Sequence, residues 1–216
     1  MPPEPLILAF DTSAAHCAAA VLSGGQVLAE AQEDMLKGQA ERLFPLLEEL
    51  LAKAWVGWGD LAALAVGIGP GNFTGVRISV AAARGLALAL KIPAHGVGCL
   101  EALAFGLPRP VLASADARQG RVYLQRFATT DEAPIITDLA DLPADLALPG
   151  LSVTGHAAGA IADRLGAKVL APALPMAVAM ARIAAGRGIP ERRPAPLYLR
   201  PADAAPSRDL PPPLLP

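Results

Sequence analysis

Gly67-Ile-Gly-Pro-Gly-Asn-Phe-Thr-Gly-Val-Arg77 joins an apolar, strand-like run (Leu61 to Val66) to a long helix-like run (Val76 to Leu90). Its glycines let bare backbone approach another part of the molecule, or a ligand, closely. Pro70-Gly71 fits the central pair of a type II turn, whose second position needs a positive φ. Thr74 falls where a helix N-cap belongs, and the first turn of such a helix carries unpaired N–H groups and a partial positive charge. Two readings follow: a tight strand-to-helix turn, or an anion cradle. The stretch is not a P-loop, because Val76 stands where G-x-x-x-x-G-K-[ST] requires lysine. Nor is it a dinucleotide fingerprint, because Thr74 replaces the third glycine of G-x-G-x-x-G.

Outward from this stretch the chain alternates strands and helices. Leu6 to Phe10 reads as a buried strand, and His16 to Leu22 with Gln26 to Ala31 as a hairpin turning at Ser23-Gly24-Gly25. Leu43 to Ala54 has the apolar spacing of an amphipathic helix, with Pro45 near its start or kinking it. Ile92 to Val97 reads as a strand and Leu100 to Phe105 as a helix. After Leu107-Pro-Arg-Pro110 the pattern restarts: Val111 to Asp116 matches Leu6 to Asp11, and Val122 to Phe127 alternates like a hairpin arm. Residues 128–150 look like loop, Leu151 to Gly155 is a strand running into a turn, and Met176 to Ala185 is a short helix. The expected class is α/β, with similar halves at 1–106 and 107–205 and a flexible proline-rich tail at 206–216.

Composition narrows the chemistry. Hydrophobic residues are 53% of 216, but aromatics only 4%, so the core is expected to be Ala, Leu and Val packed closely. The net charge of −2 and the lack of a long basic run argue against tight autonomous binding to nucleic acid. Charge is nonetheless uneven: residues 107–216 hold twelve bases, among them Arg182, Arg187, Arg192, Arg193 and Arg200, against ten acids. Cys17 and Cys99 lack disulfide or metal spacing and read as buried thiols. His16, His95 and His156 are too far apart in sequence for an H-x-x-x-H metal pair. No signal-like segment opens the chain, and the Val76–Leu90 run, broken by Arg77, Arg84 and Gly85, reads as too short for a membrane span. A cytoplasmic protein without membrane contact is the expectation.

The glycine stretch resembles the G-P-G-S-F-T-G-[LV]-R signature of the TsaB family of tRNA threonylcarbamoyladenosine biosynthesis proteins, with Asn72 in place of serine. Ile7-Leu-Ala-Phe-Asp11-Thr-Ser13 resembles the family's I-L-A-I-D-T-S opening. Glu41-Arg-Leu-Phe-Pro45 resembles H-[SA]-E-x-L-x-P, with Gln39 where histidine is usual. Asp116-Ala-Arg118 with Val122-Tyr123, and Pro196-Leu-Tyr198-Leu-Arg200, match two later landmarks. The resemblance implies the actin-like ATPase (ASKHA, RNase H-like) fold: two similar subdomains of mixed sheet plus helices. In active members of that architecture, hairpin aspartates act on nucleotide phosphates through a metal ion. Asp11 and Asp116 stand at those places, with Thr12, Gly71 and Thr74 completing a candidate vestigial nucleotide or anion site; the same residue types also serve ordinary turns. Thr154 to Gly159 is read as a strand-to-helix turn, although active relatives hold adenosine at such a place.

Residues 75–91 carry the argument for function. Arg77, Arg84 and Lys91, seven apart, form one narrow stripe on a helix whose other sides are apolar or small. That is more apolar surface than a helix covering one face of a sheet needs. Either a second layer of this chain covers it, or another polypeptide does. In TsaB-like proteins the two N-terminal helices dock TsaD, and the same surface supports homodimers when TsaD is absent. The partner-facing candidates are Leu43, Leu47, Leu50, Arg77, Ile78, Ala81, Ala82, Gly85 and Ala89. The resemblance thus implies a non-catalytic scaffold, with no catalytic residue, metal or cofactor of its own. TsaD would transfer the threonylcarbamoyl group to the anticodon-adjacent adenosine of tRNAs reading A-starting codons, the ATPase TsaE would join, and tRNA would be met only through the complex. Two other readings stay open: an ATP-dependent enzyme using Asp11 and Asp116, and a free-standing tRNA-binding module.

Overall fold

The computed structural model describes residues 4–199, so the tail at 206–216 and Arg200 of the late motif lie outside the described residues. Strands β1 (Leu6–Asp11), β2 (His16–Ser23) and β3 (Gln26–Asp34) form an antiparallel meander. Helix α1 (Gln39–Lys53), β4 (Leu61–Gly67), α2 (Phe73–Leu90), β5 (Ala94–Val97) and α3 (Cys99–Ala104) follow. Strand β4 pairs parallel with β1 and β5 parallel with β4, giving the order β3-β2-β1-β4-β5. The second half supplies β6 (Val111–Asp116), β7 (Arg121–Phe127), β8 (Ile135–Asp138), β9 (Ser152–Gly155), α4 (Ala158–Leu165), β10 (Lys168–Val169) and α5 (Met176–Ala185). Its sheet, β8-β7-β6-β9-β10, repeats the order and the strand senses of the first. The duplication legible in two strand-aspartate-hairpin units therefore extends over both sheets, as the actin-like ATPase architecture requires.

Strand alternation decides which helix covers which face. From β1, Leu8 and Phe10 point to the side covered by Leu43, Leu46, Leu47 and Leu50 of α1, while Ile7 and Ala9 point to the side covered by α5. The α5 side is alanine against alanine: Ala9, Ala18, Ala20 and Ala65 meet Ala177, Ala181 and Ala184. Small side chains let a helix axis approach a sheet closely, which is how so few aromatics still fill the core. In the second half, α4 covers Leu112, Leu124 and Val153, and α3 covers Val111, Ala113 and Tyr123. The halves thus exchange helices: α3 from the first packs on the second sheet, and α5 from the second packs on the first.

Several expectations are corrected. Leu43, Leu47 and Leu50 are at most 1% exposed, because α1 turns its whole leucine stripe onto β2 and its neighbours; they form core, not a partner surface. Helix α2 begins at Phe73 and spans 18 residues with mean hydropathy 1.4, so it is long and apolar enough to cross a membrane, contrary to the shorter reading. Strand β8 lies in the stretch read as loop; it has four residues at a sheet edge, too few for a clear alternation. Helix α4 follows the turn read as strand-to-helix at residues 154–159, whereas β10, two residues long, was not expected.

Candidate functional site

The glycine stretch meets the first hairpin. Asn72 donates its backbone N–H to the Ser13 carbonyl at 2.6 Å, and the Thr12 hydroxyl donates to the Gly75 carbonyl at 2.7 Å. A Cβ on Gly71 would lie 2.3 Å from the Ser13 carbonyl oxygen, so its lack of a side chain serves this approach. The partner that the bare backbone approaches is therefore the chain's own Thr12-Ser13 segment. Two details differ from the sequence reading. The positive φ falls on Gly69 (+90°), not on Gly71. The N-cap is Asn72, whose side chain accepts from the Thr74 N–H at 3.2 Å; Thr74 is already inside the first turn. Asparagine and serine both rank among the best caps, so Asn72 suits this position.

A cleft of about 570 Å³ opens between the halves, walled by the loops that follow β1, β4, β6 and β9. Ligands of open α/β sheets bind in such a crevice, outside the carboxyl ends of parallel strands. Of the five residues expected together, Gly71 and Asp116 line it. Asp11 and Thr12 are fully buried behind its wall, and Thr74 sits on the exposed start of α2. Sequence reasoning did not place Ser13, Cys99, Ser114 or His156 there; the nearness of Ser13 and His16 to Asp11 was the available signal. The walls also hold His16, and His156 sits 3.9 Å from Asp116. Asp116 also accepts from the Arg118 N–H at 2.8 Å, which is hairpin-turn chemistry.

Asp11 has one satisfied oxygen. Its Oδ2 accepts from the Ser13 N–H, the Ser13 hydroxyl and His16 Nε2 at 3.2, 3.0 and 2.7 Å, while its buried Oδ1 has no partner among the described residues. Burial opposes charge on the His16 ring, but the hydrogen bond and charge of Asp11, helped by Asp34, outweigh it and hold the pKa above the usual 6.5. His95 goes the other way: burial, then the charge of Arg187, lowers its pKa. The signs follow from linkage. The stability from His16 is complete below the unfolded-state value and is lost as pH rises through the raised folded value. That from His95 is complete above the unfolded value and is lost as pH falls. Thermal unfolding between about pH 5 and about pH 8.5 is expected to show a lower melting temperature on the acid side with an unchanged slope, and a flatter alkaline decline, in His16→Gln; an identical alkaline slope refutes the Asp11–His16 pairing. Burial and the charge of Glu33 push the Cys17 thiol up to about 11, and burial also raises Cys99, so both are inert at neutral pH.

The second candidate surface is the outer side of α2. Gly75, Val76, Ser79, Val80 and Ala83 are buried, 28% of the helix. Ile78, Ala82 and Leu86 are half-buried against the α1 side of the first sheet, so α1 and α2 lie together as expected. Arg77, Ala81, Gly85 and Ala89 are exposed, and Leu88 is 72% exposed. At the head of this face Arg77 stacks 3.9 Å from the Phe73 ring centre and donates to the Tyr198 hydroxyl at 2.9 Å. Phe73 and Tyr198 pack with centroids 5.0 Å apart. An ordered Arg–aromatic cluster beside small residues is the composition of protein-binding hot spots.

A family model described as TsaD, tRNA N6-adenosine threonylcarbamoyltransferase, matches residues 27–184. The tRNA threonylcarbamoyladenosine biosynthesis protein TsaB of Escherichia coli (strain K12) is 40% identical over 126 residues, 56% of this chain and 54% of that protein. The chain thus spans about half the length of that relative. An uncharacterized protein of Mycobacterium tuberculosis (strain ATCC 25618 / H37Rv) is 34% identical over 156 residues, 70% of this chain and 74% of its own length. Among solved structures, a Pseudomonas aeruginosa protein described as similar to peptidase YeaZ superposes with a TM-score of 0.75 at 29% identity, covering 91% of this chain and all of that one (100%).

Proposed function

Because this chain belongs to the TsaB family, within the superfamily of actin-like ATPase folds, we propose that it is the non-catalytic partner subunit of a tRNA threonylcarbamoyladenosine-forming complex. Its role is to bind and support a TsaD-type transferase through the free face of α2, in the cytoplasm, with a TsaE-type ATPase joining the assembly. Alone, it pairs with a second copy through the same face. The observation that carries this reading is α2 itself, a long apolar helix only 28% buried and headed by the Arg77–Phe73–Tyr198 cluster. Arg77, at the head of that face, fits a protein partner with a polar rim better than lipid. The cleft supports the same reading from the other side. Thr12 and one of the two Asp11 oxygens are already engaged by the chain's own groups, and Asp116 is held in its own turn.

The cleft's volume and its His16–Asp116–His156 lining favour one second reading, a nucleotide-dependent enzyme. Reconstitution separates the two. The chain is expected to co-elute with its cell's TsaD-type protein and to be required for threonylcarbamoylation of tRNA. Asp116→Ala, a change at an exposed position, is expected to keep the reconstituted rate within about twofold. A rate collapse in Asp116→Ala with the complex intact would establish the second reading, and failure to co-elute would remove the first.

A further inference from the structure

The basic stripe of α2 continues past the docking face. Arg84 and Lys91 line a groove of about 440 Å³ against residues 189–194, with Arg192 and Arg193 on the far bank and Glu191 as the acid in its wall. The Arg192-Arg193 pair, with Pro190 and Pro194, also walls an adjoining hollow of about 290 Å³. Arg187 borders that hollow but is neutralised by Glu101 at 2.6 Å. Among the described residues, Arg84, Lys91, Arg192 and Arg193 have no ion-pair partner, and all four are exposed. Apolar surface lies among the charges: Leu88 is 72% exposed and Ile189 is 87% exposed.

We infer that this track takes the phosphodiester backbone of an RNA, the tRNA of the proposed complex. Two joined hollows sharing an arginine pair suit a ligand with a charge at every link; a single small anion would fill one hollow and leave the other bank's cations uncompensated. Guanidinium groups recognise phosphate oxygens through paired N–H donors, and Leu88 and Ile189 offer apolar contact to sugars between phosphates. The net charge of −2 over the whole chain confines RNA to this track and makes the contact weak and strongly salt-dependent. Only the identity of the RNA rests on the tRNA-modification reading; the charge pattern stands by itself.

The test uses the full chain alone and fluorescently labelled bulk tRNA, followed by anisotropy. Binding is expected at about 20 mM KCl and lost by about 150 mM, with log K falling against log salt at a slope of about −3 for four phosphate contacts. Arg192→Glu/Arg193→Glu should weaken binding at least about tenfold at low salt and reduce the slope by about 1.5, while Arg192→Lys/Arg193→Lys retains it. Lys91→Glu, on the opposite bank, should weaken binding several-fold, and it carries the test if the double reversal fails to fold. No binding at low salt, or an unchanged slope in both reversals, overturns the proposal. Displacement of tRNA by poly-L-glutamate as readily as by unlabelled RNA also overturns it, in favour of an acidic protein. None of these measurements needs a TsaD-type partner, so the failure of either proposal is visible separately.

Discussion

Replacing Gly85 by glutamate is expected to abolish association with a TsaD-type partner while leaving the chain at least as stable as its parent. A Cβ at Gly85 meets no atom within 4 Å, so the folded monomer has room for the new side chain. Glycine inside a helix costs roughly 0.5–1 kcal/mol of backbone entropy relative to alanine, and most of that is recovered with glutamate. The partner sees something different. Ala81 and Gly85 form the smallest part of the exposed face, where another helix could approach within touching distance of the backbone. A carboxylate there blocks the approach and strands a charge in an apolar contact, a cost of several kcal/mol. The dissociation constant should rise at least about 100-fold, about 2.8 kcal/mol at 1.4 kcal/mol per decade. Calorimetric titration with the partner, beside a thermal melt, reads both effects. An unchanged affinity would move the interface off this face.

Gly75→Ala is expected to act in the opposite sense, unfolding the chain from within. Its new Cβ would lie 1.9 Å from the Thr12 carbonyl oxygen and 3.0 Å from the Thr12 carbonyl carbon. Both atoms are backbone, so no rotamer change relieves the clash. Retreat of the helix would break the bond from the Thr12 hydroxyl to the Gly75 carbonyl and pull Val76 and Val80 out of the core. Overpacking of this kind costs at least about 3 kcal/mol, a fall in melting temperature of roughly 6–12 °C for a chain of this size. A loss under about 1 kcal/mol in chemical denaturation would show that the α2–hairpin contact is looser than described.

Legibility tracked the range of the interaction. Strands β1, β4 and β6 and helix α5 could be read because each carries its own apolar run within a few residues. The apolar spacing of Leu43, Leu47 and Leu50 announced a face that wants cover but not what covers it; β2 does, and that pairing is set by the whole sheet. The start of α2 was misplaced by a few residues because Asn72 and Thr74 are both competent caps, and only the fold decides which side chain reaches an N–H. In the glycine stretch, spacing betrayed a close approach but not where the positive φ falls. Arg77, Ala81, Gly85 and Ala89 were named from residue size and periodicity, and all four are exposed. The cleft's far wall was legible only in part: Asp116 was named and the turn at 154–159 was weighed as an adenosine site, but that Ser114 and His156 face Ser13 across one cleft depends on how two distant halves meet.

The exchange of α3 and α5 has a consequence for biosynthesis. During translation the first sheet emerges with α1 and α2 ready to shield one side, yet its alanine-lined side stays bare until Met176–Ala185 has left the ribosome. The segment beyond α5 returns as well, with Leu197 bonding to Ile68 and Tyr198 reaching Arg77. A nascent chain stalled or cleaved before that point holds an open, apolar surface of the kind that chaperones and proteases recognise. The first sheet is therefore covered on both sides only in a polypeptide that includes the last helix.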